Sequence, residues 1–131
     1  MLLLKLTLSL LLMMTFPSRS SEIPLSIDPV ISAIDNGSSS DLARYFETSI
    51  SLNVNGHQGD YSKNQAELVI KEFFRKNPPK GFNLVFRSET NPSLSSYIGD
   101  YQSGQGLFKV LIKVSQQNSA LKIYSLEFVK G

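Results

Sequence analysis

The stretch YSKNQAELVIKEFFRKNPPKGF, residues 61–82, has the most regular pattern in the chain and decides its fold. Ser62 and Gln65 have the spacing of a capping box, and Pro78-Pro79 ends the pattern that follows. Between these limits the apolar residues recur at the spacing of one helical face, namely Ala66, Val69, Ile70, Phe73 and Phe74. The stretch therefore predicts one long helix, with an apolar stripe on a core and a charged face in solvent.

The sequence after this helix alternates apolar and polar residues with the period of two that is typical of strands. Four such segments are separated by short turns, which predicts an antiparallel meander. The predicted inward-facing sets are Phe82, Leu84 and Phe86; Tyr97, Gly99 and Tyr101; Phe108, Val110, Ile112 and Val114; and Tyr124, Leu126 and Phe128. One face of the meander would pack on the helices, while the other carries Lys, Ser and Asn.

The sequence before the helix predicts two short helices and a hairpin. Apolar residues at helical spacing follow Asp28-Pro29 and recur in DLARYF at 41–46, whereas residues 50–54 alternate and precede the turn at Asn55-Gly56. The whole order predicts an α+β fold. In this fold a curved antiparallel sheet of about four to six strands wraps on one long helix, with two short N-terminal helices beside it.

Residues 1–20 have the organisation of a cleaved signal peptide. Lys5 precedes an apolar run of about eleven residues, which is too short to span a bilayer, and small residues stand before a cleavage point after Ser20. The alternative is an uncleaved N-terminal anchor. Cleavage would leave residues 21–131 as a single exported domain, periplasmic or secreted, without a stable membrane anchor.

Charge and cysteine content exclude several classes of function. Removal of Lys5 and Arg19 lowers Lys+Arg from 13 to 11, which equals the 11 Asp+Glu, so the mature chain is formally neutral. A neutral domain has no electrostatic footprint for nucleic acid. The chain contains no Cys, which removes disulfides and thiol chemistry, and its one His lies in the predicted hairpin turn. We therefore predict no metal site and no cofactor.

The chain resembles the nuclear-transport-factor-2-like superfamily, which is also called cystatin-like or ketosteroid-isomerase-like. The resemblance rests on DLARYF at 41–46, the stretch at 61–82, YIGDY at 97–101 and GLFKVLIKV at 106–114, and it covers about residues 25–129. Within the superfamily the chain is most similar to a family of exported bacterial proteins with a domain of unknown function. The resemblance implies a cone-shaped fold with a cavity between helices and sheet, which the superfamily uses for isomerases, dehydratases, ligand binders and interaction modules.

The leading hypothesis for function is a small exported binding domain without catalytic residues. It would hold an apolar or amphipathic ligand between the long helix and the sheet, in a pocket whose predicted walls are Tyr45, Phe73, Tyr97, Tyr101 and Tyr124. The alternative for these aromatic residues is a solid core.

Two other functions compete with ligand binding. Leu107, Leu111 and Ile123 would form an apolar strip on the outer sheet face, suited to a homodimeric interaction module. The third candidate is an isomerase or dehydratase with Asp100 or Glu67 as base and a Tyr as donor. The predicted strands turn Asp100 away from the inward tyrosines, which disfavours the enzyme.

Overall fold

The computed structural model describes residues 25–91 and 93–131, so the predicted signal peptide lies outside the described residues. The helices are α1 (Asp28–Asn36), α2 (Ser39–Ala43) and α3 (Lys63–Lys76). The strands are β1 (Phe46–Val54), β2 (His57–Ser62), β3 (Pro79–Asn91), β4 (Leu94–Ser103), β5 (Gly106–Gln117) and β6 (Ala120–Lys130). The fold is α+β, with the helices on one face of a six-stranded sheet.

Helix α3 begins with the capping box that the sequence predicts. The hydroxyl of Ser62 accepts the Gln65 N–H at 3.3 Å, and the Gln65 side chain accepts the Ser62 N–H at 3.3 Å. These two bonds satisfy backbone donors that the first helical turn leaves unpaired. The buried residues of the helix are Ala66, Ile70, Phe73 and Phe74. Val69 is half-buried at the border of this stripe.

The sheet is mixed, and the prediction of a wholly antiparallel sheet was wrong. Its strand order is β2-β1-β6-β5-β4-β3, and the pair β1–β6 is parallel, with Leu52 opposite Leu126. All other neighbouring pairs are antiparallel. The parallel pair joins the N-terminal hairpin to the C-terminal strand. Alternation within a strand indicates which residues share a face. It does not indicate whether that strand pairs parallel or antiparallel with a strand distant in sequence.

A bulge in β3 overturns the predicted inward position of Phe86. The register with β4 shifts between Leu84 and Phe86, so that Val85 is the extra residue. Because an extra residue reverses the alternation beyond it, Phe86 lies opposite Ile98 on the outer face and is 50% exposed. Phe82, before the bulge, is buried as predicted.

A second bulge, in β6, overturns the predicted positions of Ile123 and Tyr124. Val114 pairs with Ile123 while Lys113 pairs with Ser125, so Tyr124 is the extra residue. Ile123 is fully buried in the core and is not part of an outer apolar strip. Tyr124 is half-buried at the bulge and does not continue the inward row of Leu126.

Aromatic rings fill the centre of the core between α3 and the sheet. The Phe73 ring lies 4.4 Å from that of Phe128, 5.1 Å from that of Phe108 and 5.6 Å from that of Tyr101, measured between centroids. Phe74 packs beside them at 6.1 Å from Tyr101. This packing supports the solid-core interpretation for the middle of the domain.

Candidate functional site

An apolar recess lies between α3 and the tip of the β1–β2 hairpin, and we call it the α3 groove. Its volume is about 510 Å³, within the range of about 300–1,000 Å³ typical of ligand pockets. The groove is open to solvent on one side. Its lining comprises Val54, Asn55, His57, Leu68, Val69, Glu72, Phe73, Lys76 and Asn77. Phe73 joins the groove to the aromatic core, because it belongs to both.

The groove exists because two elements end at the same place. Val54 is the last residue of β1, and the hairpin turns at Asn55, which has a φ of 54°, and Gly56, which has a φ of 92°. Asn55 and Gly56 therefore adopt the left-handed conformation that such turns need. On the other wall, the first half of α3 presents Leu68 with 64% of its surface exposed, and the groove continues to the end of the helix at Lys76. A Leu as exposed as this beside a recess is available to an apolar ligand.

The rim of the groove carries a small excess of positive charge. Arg75 donates two hydrogen bonds to Glu72, at 3.0 Å from Nε and 2.5 Å from Nη2. The hydrogen bond from Arg75 lowers the pKa of Glu72, so this carboxylate is ionised and already paired. Lys76 Nζ is 3.9 Å from the same carboxylate and 64% of its side chain is exposed. Two cations, Arg75 and Lys76, therefore lie beside one anion, Glu72, at the rim.

The five predicted wall residues do not surround one cavity. Phe73 lines the α3 groove, and Tyr101 contacts it in the core with a fully buried side chain. The Tyr101 hydroxyl donates to the Asn77 carbonyl, and burial raises the pKa of this phenol. Tyr45 lies elsewhere, in a cleft of about 370 Å³ with Arg44 and Lys122.

Tyr97 lies in a polar cluster near the β3–β4 turn. Its hydroxyl donates a 2.5 Å hydrogen bond to Glu89 Oε2, and the Arg87 guanidinium lies 5.7 Å from its ring centroid. Burial, together with the bond to Glu89, raises the pKa of Tyr97 to about 12. Glu89 could not be identified from the alternation of the sequence, because the bulge in β3 turns Arg87 and Glu89 onto the helix-facing side with Tyr97.

The two carboxylates considered for catalysis lie outside the groove lining. The Asp100 carboxylate lies 2.5 Å from the Lys109 amine, across the β4–β5 pair. Because side chains alternate along β4, Asp100 is on the other face of the sheet from the buried Tyr101. Glu67 is half-buried on α3. Of the groove residues, only Phe73 was predicted as a wall. No periodic pattern in the sequence marks the others, because the recess depends on the distance between the β1–β2 hairpin and α3.

Neither a metal cluster nor a membrane span is evident in the described ranges. Within residues 25–91 and 93–131, no group of three or more His, Asp or Glu side chains converges as metal ligands would. Over the same residues, no helix is long and apolar enough to cross a membrane.

A protein-family model identifies the chain. The model described as "Domain of unknown function (DUF4783)" matches residues 27–128, which is most of the sequence and nearly all of the described fold. The chain belongs to the DUF4783 family. The match begins just before α1 and ends within β6, so it includes both walls of the α3 groove. A comparison with curated proteins found no match.

Solved structures agree with the DUF4783 assignment. A DUF4783 protein from Bacteroides ovatus is 28% identical, with a TM-score of 0.75, 84% of this chain covered and 96% of that one. A DUF4783 protein from Bacteroides uniformis is 21% identical, with a TM-score of 0.76 and coverage of 79% and 95%. A domain of unknown function with a cystatin-like fold from Nostoc punctiforme is 16% identical, with a TM-score of 0.61 and coverage of 89% and 80%. The similarity to cystatin-like and nuclear-transport-factor-2-like structures confirms the superfamily fold, while the cavity between helices and sheet stays a prediction.

Proposed function

We propose that this DUF4783 domain is an exported binding protein whose α3 groove holds an amphipathic ligand with an anionic head. The observation that carries the proposal is the combination of an apolar floor with a cationic rim in one recess of about 510 Å³. Val54, Leu68 and Phe73 supply apolar surface, and removal of such surface from water stabilises a complex by about 25 cal/mol per Å².

The polar end of the ligand would lie at the C-terminal end of α3. Lys76 stands there with its amine in solvent, and the neighbouring carboxylate of Glu72 is already held by Arg75. The side-chain amide of Asn77 already donates to the Phe73 carbonyl, so a carboxylate or similar anion on the ligand would pair with Lys76. An uncharged apolar compound would gain nothing from these groups, so the rim favours an amphipathic ligand over a purely apolar one.

The wider part of the proposal concerns the compartment. The apolar run at residues 6–16 and the small residues before position 21 support export with cleavage after Ser20. An exported carrier would acquire its ligand outside the cytoplasm. Native mass spectrometry on the processed chain, recovered from the exported fraction of cells that express it, would measure both the cleavage site and any bound mass.

A fluorescent long-chain carboxylic acid tests the groove directly, with its methyl ester as the uncharged comparison. We expect saturable binding of the acid and weaker binding of the ester. Leu68→Ser should weaken binding of both probes at least tenfold, whereas Lys76→Gln should weaken only the acid, by several-fold at low salt. Leu94→Ser is the matched control, since Leu94 is 53% exposed on β4 and is not part of the groove. If the acid and the ester bind Leu68→Ser and Lys76→Gln as tightly as they bind Leu94→Ser, the proposal is contradicted.

A further inference from the structure

The outer edge of β3 is closed along one part and open along the rest. β3 is the last strand of the sheet, and α1 packs against it. Near its start, Asp35 Oδ1 accepts the N–H of Phe82 at 2.9 Å, which satisfies a donor on this edge. From residue 84 to residue 91, no strand in the described part of the chain pairs with the outer side of β3. An edge of this kind presents a row of backbone donors and acceptors to solvent.

The charged side chains on the open part of β3 are complementary to the same side chains in a second copy of the chain. Arg87 and Glu89 lie two residues apart on the same face, with Ser88 between them. If two copies of β3 run antiparallel about a two-fold axis at Ser88, each Arg87 stands opposite Glu89 of the second copy. We propose that two copies of this chain associate through β3 in this register, which joins two six-stranded sheets into one.

The same segment of β3 also exposes two apolar side chains, which an association of two copies would cover. Val85 is 58% exposed and Phe86 is 50% exposed, both next to the open edge. The β3–β4 register shifts again between Ser88 and Asn91, so in the proposed pairing the exposed Phe86 lies beside this irregular segment of the second copy.

The alternative explanation for the charges is that they keep β3 from aggregating. Edge strands often carry charged side chains for this purpose, and like charges opposite each other destabilise pairing. Here the two charges are opposite in sign and already pair with each other within one chain at 3.4 Å. They are also symmetric about Ser88, so in the antiparallel two-fold register Arg87 of each copy attracts Glu89 of the other. Protection against aggregation would not need this symmetry.

A single cysteine tests the register, because the chain has no Cys of its own. In the proposed dimer the two Ser88 Cα atoms lie about 5 Å apart across the axis, which a disulfide spans. We expect Ser88→Cys in the full chain, processed by its host, to form a covalent dimer under mild oxidation. Ser96→Cys is the matched control, since Ser96 pairs with Ser88 one strand further in and its two copies would be about 14 Å apart.

The result that overturns the proposal is a Ser88→Cys chain that stays monomeric, or equal cross-linking of both variants. A wild-type chain that sediments as a monomer at all concentrations would also overturn it. So would a dimer that Ser88→Cys cannot trap, since such a dimer would use another surface, such as the outer sheet face.

Charge exchange provides an independent test that contacts within one chain cannot mimic. Arg87→Glu and Glu89→Arg should each abolish the dimer in sedimentation velocity, because each places like charges opposite one another. A mixture of these two variants should restore a dimer, since the two acidic side chains of one copy then face the two basic side chains of the other. Circular dichroism melting checks that each variant is folded. Variants that dimerise alone, or a mixture that does not, contradict the register.

Discussion

The hydroxyl of Tyr101, in β4, donates a 2.5 Å hydrogen bond to the backbone carbonyl of Asn77, at the C-terminal end of α3. Tyr101 is fully buried, so this bond ties the end of the helix to β4, the strand next to the edge of the sheet. Asn77 also lines the α3 groove. A contact made in the core therefore sets the position of one wall of the candidate site.

Replacement of Tyr101 by Phe should destabilise the domain by about 1–2 kcal/mol in urea unfolding, because the partly buried carbonyl of Asn77 loses its partner. Tyr124→Phe is the control, since Tyr124 is only half-buried at the bulge of β6. Amide exchange in the last turn of α3 should become faster in Tyr101→Phe alone. Equal unfolding free energies for the two variants would show that the Tyr101 bond is energetically unimportant.

Gly99 allows the close approach of β3 to β4. A Cβ at this position would lie 2.5 Å from Phe82 Cε1 and 2.9 Å from the Asn83 carbonyl oxygen. Gly99→Ala should therefore cost about 1–3 kcal/mol of unfolding free energy, as overpacked sites do. Gly81→Ala, on the neighbouring strand, meets no atom within 4 Å and should change stability by less than about 0.5 kcal/mol. Addition of Phe82→Leu should recover part of the loss in Gly99→Ala, and a failure to do so would place the strain in the backbone.

The pKa of Tyr97 predicts a loss of stability at alkaline pH. Burial first, and then the Glu89 carboxylate, raise this pKa from 10.0 to about 12, so the unfolded chain releases the proton at lower pH than the folded one. Between these two values the folded state binds more protons, and the free energy of unfolding falls as the pH rises. The fall attributable to Tyr97 is at most about 3 kcal/mol, at about 1.4 kcal/mol per unit.

Tyr97→Phe should remove the contribution of Tyr97 to the fall in unfolding free energy at alkaline pH. The contribution of Tyr101 should remain. The stability difference between wild type and Tyr97→Phe should therefore shrink as the pH is raised from 9 to about 12 in urea unfolding. Tyr61→Phe, in β2, is the control for removal of a phenol distant from Glu89. A difference that stays constant over this range would contradict the raised pKa.

Asp35 closes the start of the β3 edge, and its removal should expose that edge. Asp35→Ala leaves the Phe82 N–H without its acceptor, which should cost about 1 kcal/mol and speed exchange of that amide. Asp35→Asn keeps an oxygen in the same position and should preserve both stability and protection of the amide. If Asp35→Asn behaves like Asp35→Ala, the charge of Asp35 and not its hydrogen bond is what matters.

Local patterns predicted well wherever the backbone stayed regular. In β5, Phe108, Val110 and Ile112 alternate in the sequence and are buried in the structure. The same reasoning failed in β3 and β6, where it placed Phe86 inside and Ile123 outside. Each error follows a bulge, and one extra residue is enough to exchange the two faces of a strand. No turn residue marks Val85 or Tyr124 as the extra one, so the alternation alone could not locate them.

The candidate site was less predictable than the core. Of the residues that line the α3 groove, Phe73 was identified from the sequence because it belongs to the helical stripe. Val54, Leu68 and Lys76 were not, since a recess depends on how far the β1–β2 hairpin stands from α3. That distance depends on how the elements pack together, and no periodic pattern in the sequence reports it.

By itself, the sequence determined the features that depend on neighbouring residues. These are the cap and apolar stripe of α3, the alternation of β5 and the family to which the chain belongs, because each rests on contacts or patterns within a short segment. The tertiary structure alone decided the parallel pairing of β1 with β6, the faces of Phe86 and Ile123, the α3 groove and the open edge of β3. These features depend on how distant segments pair and pack, and local periodicity carries no information about that.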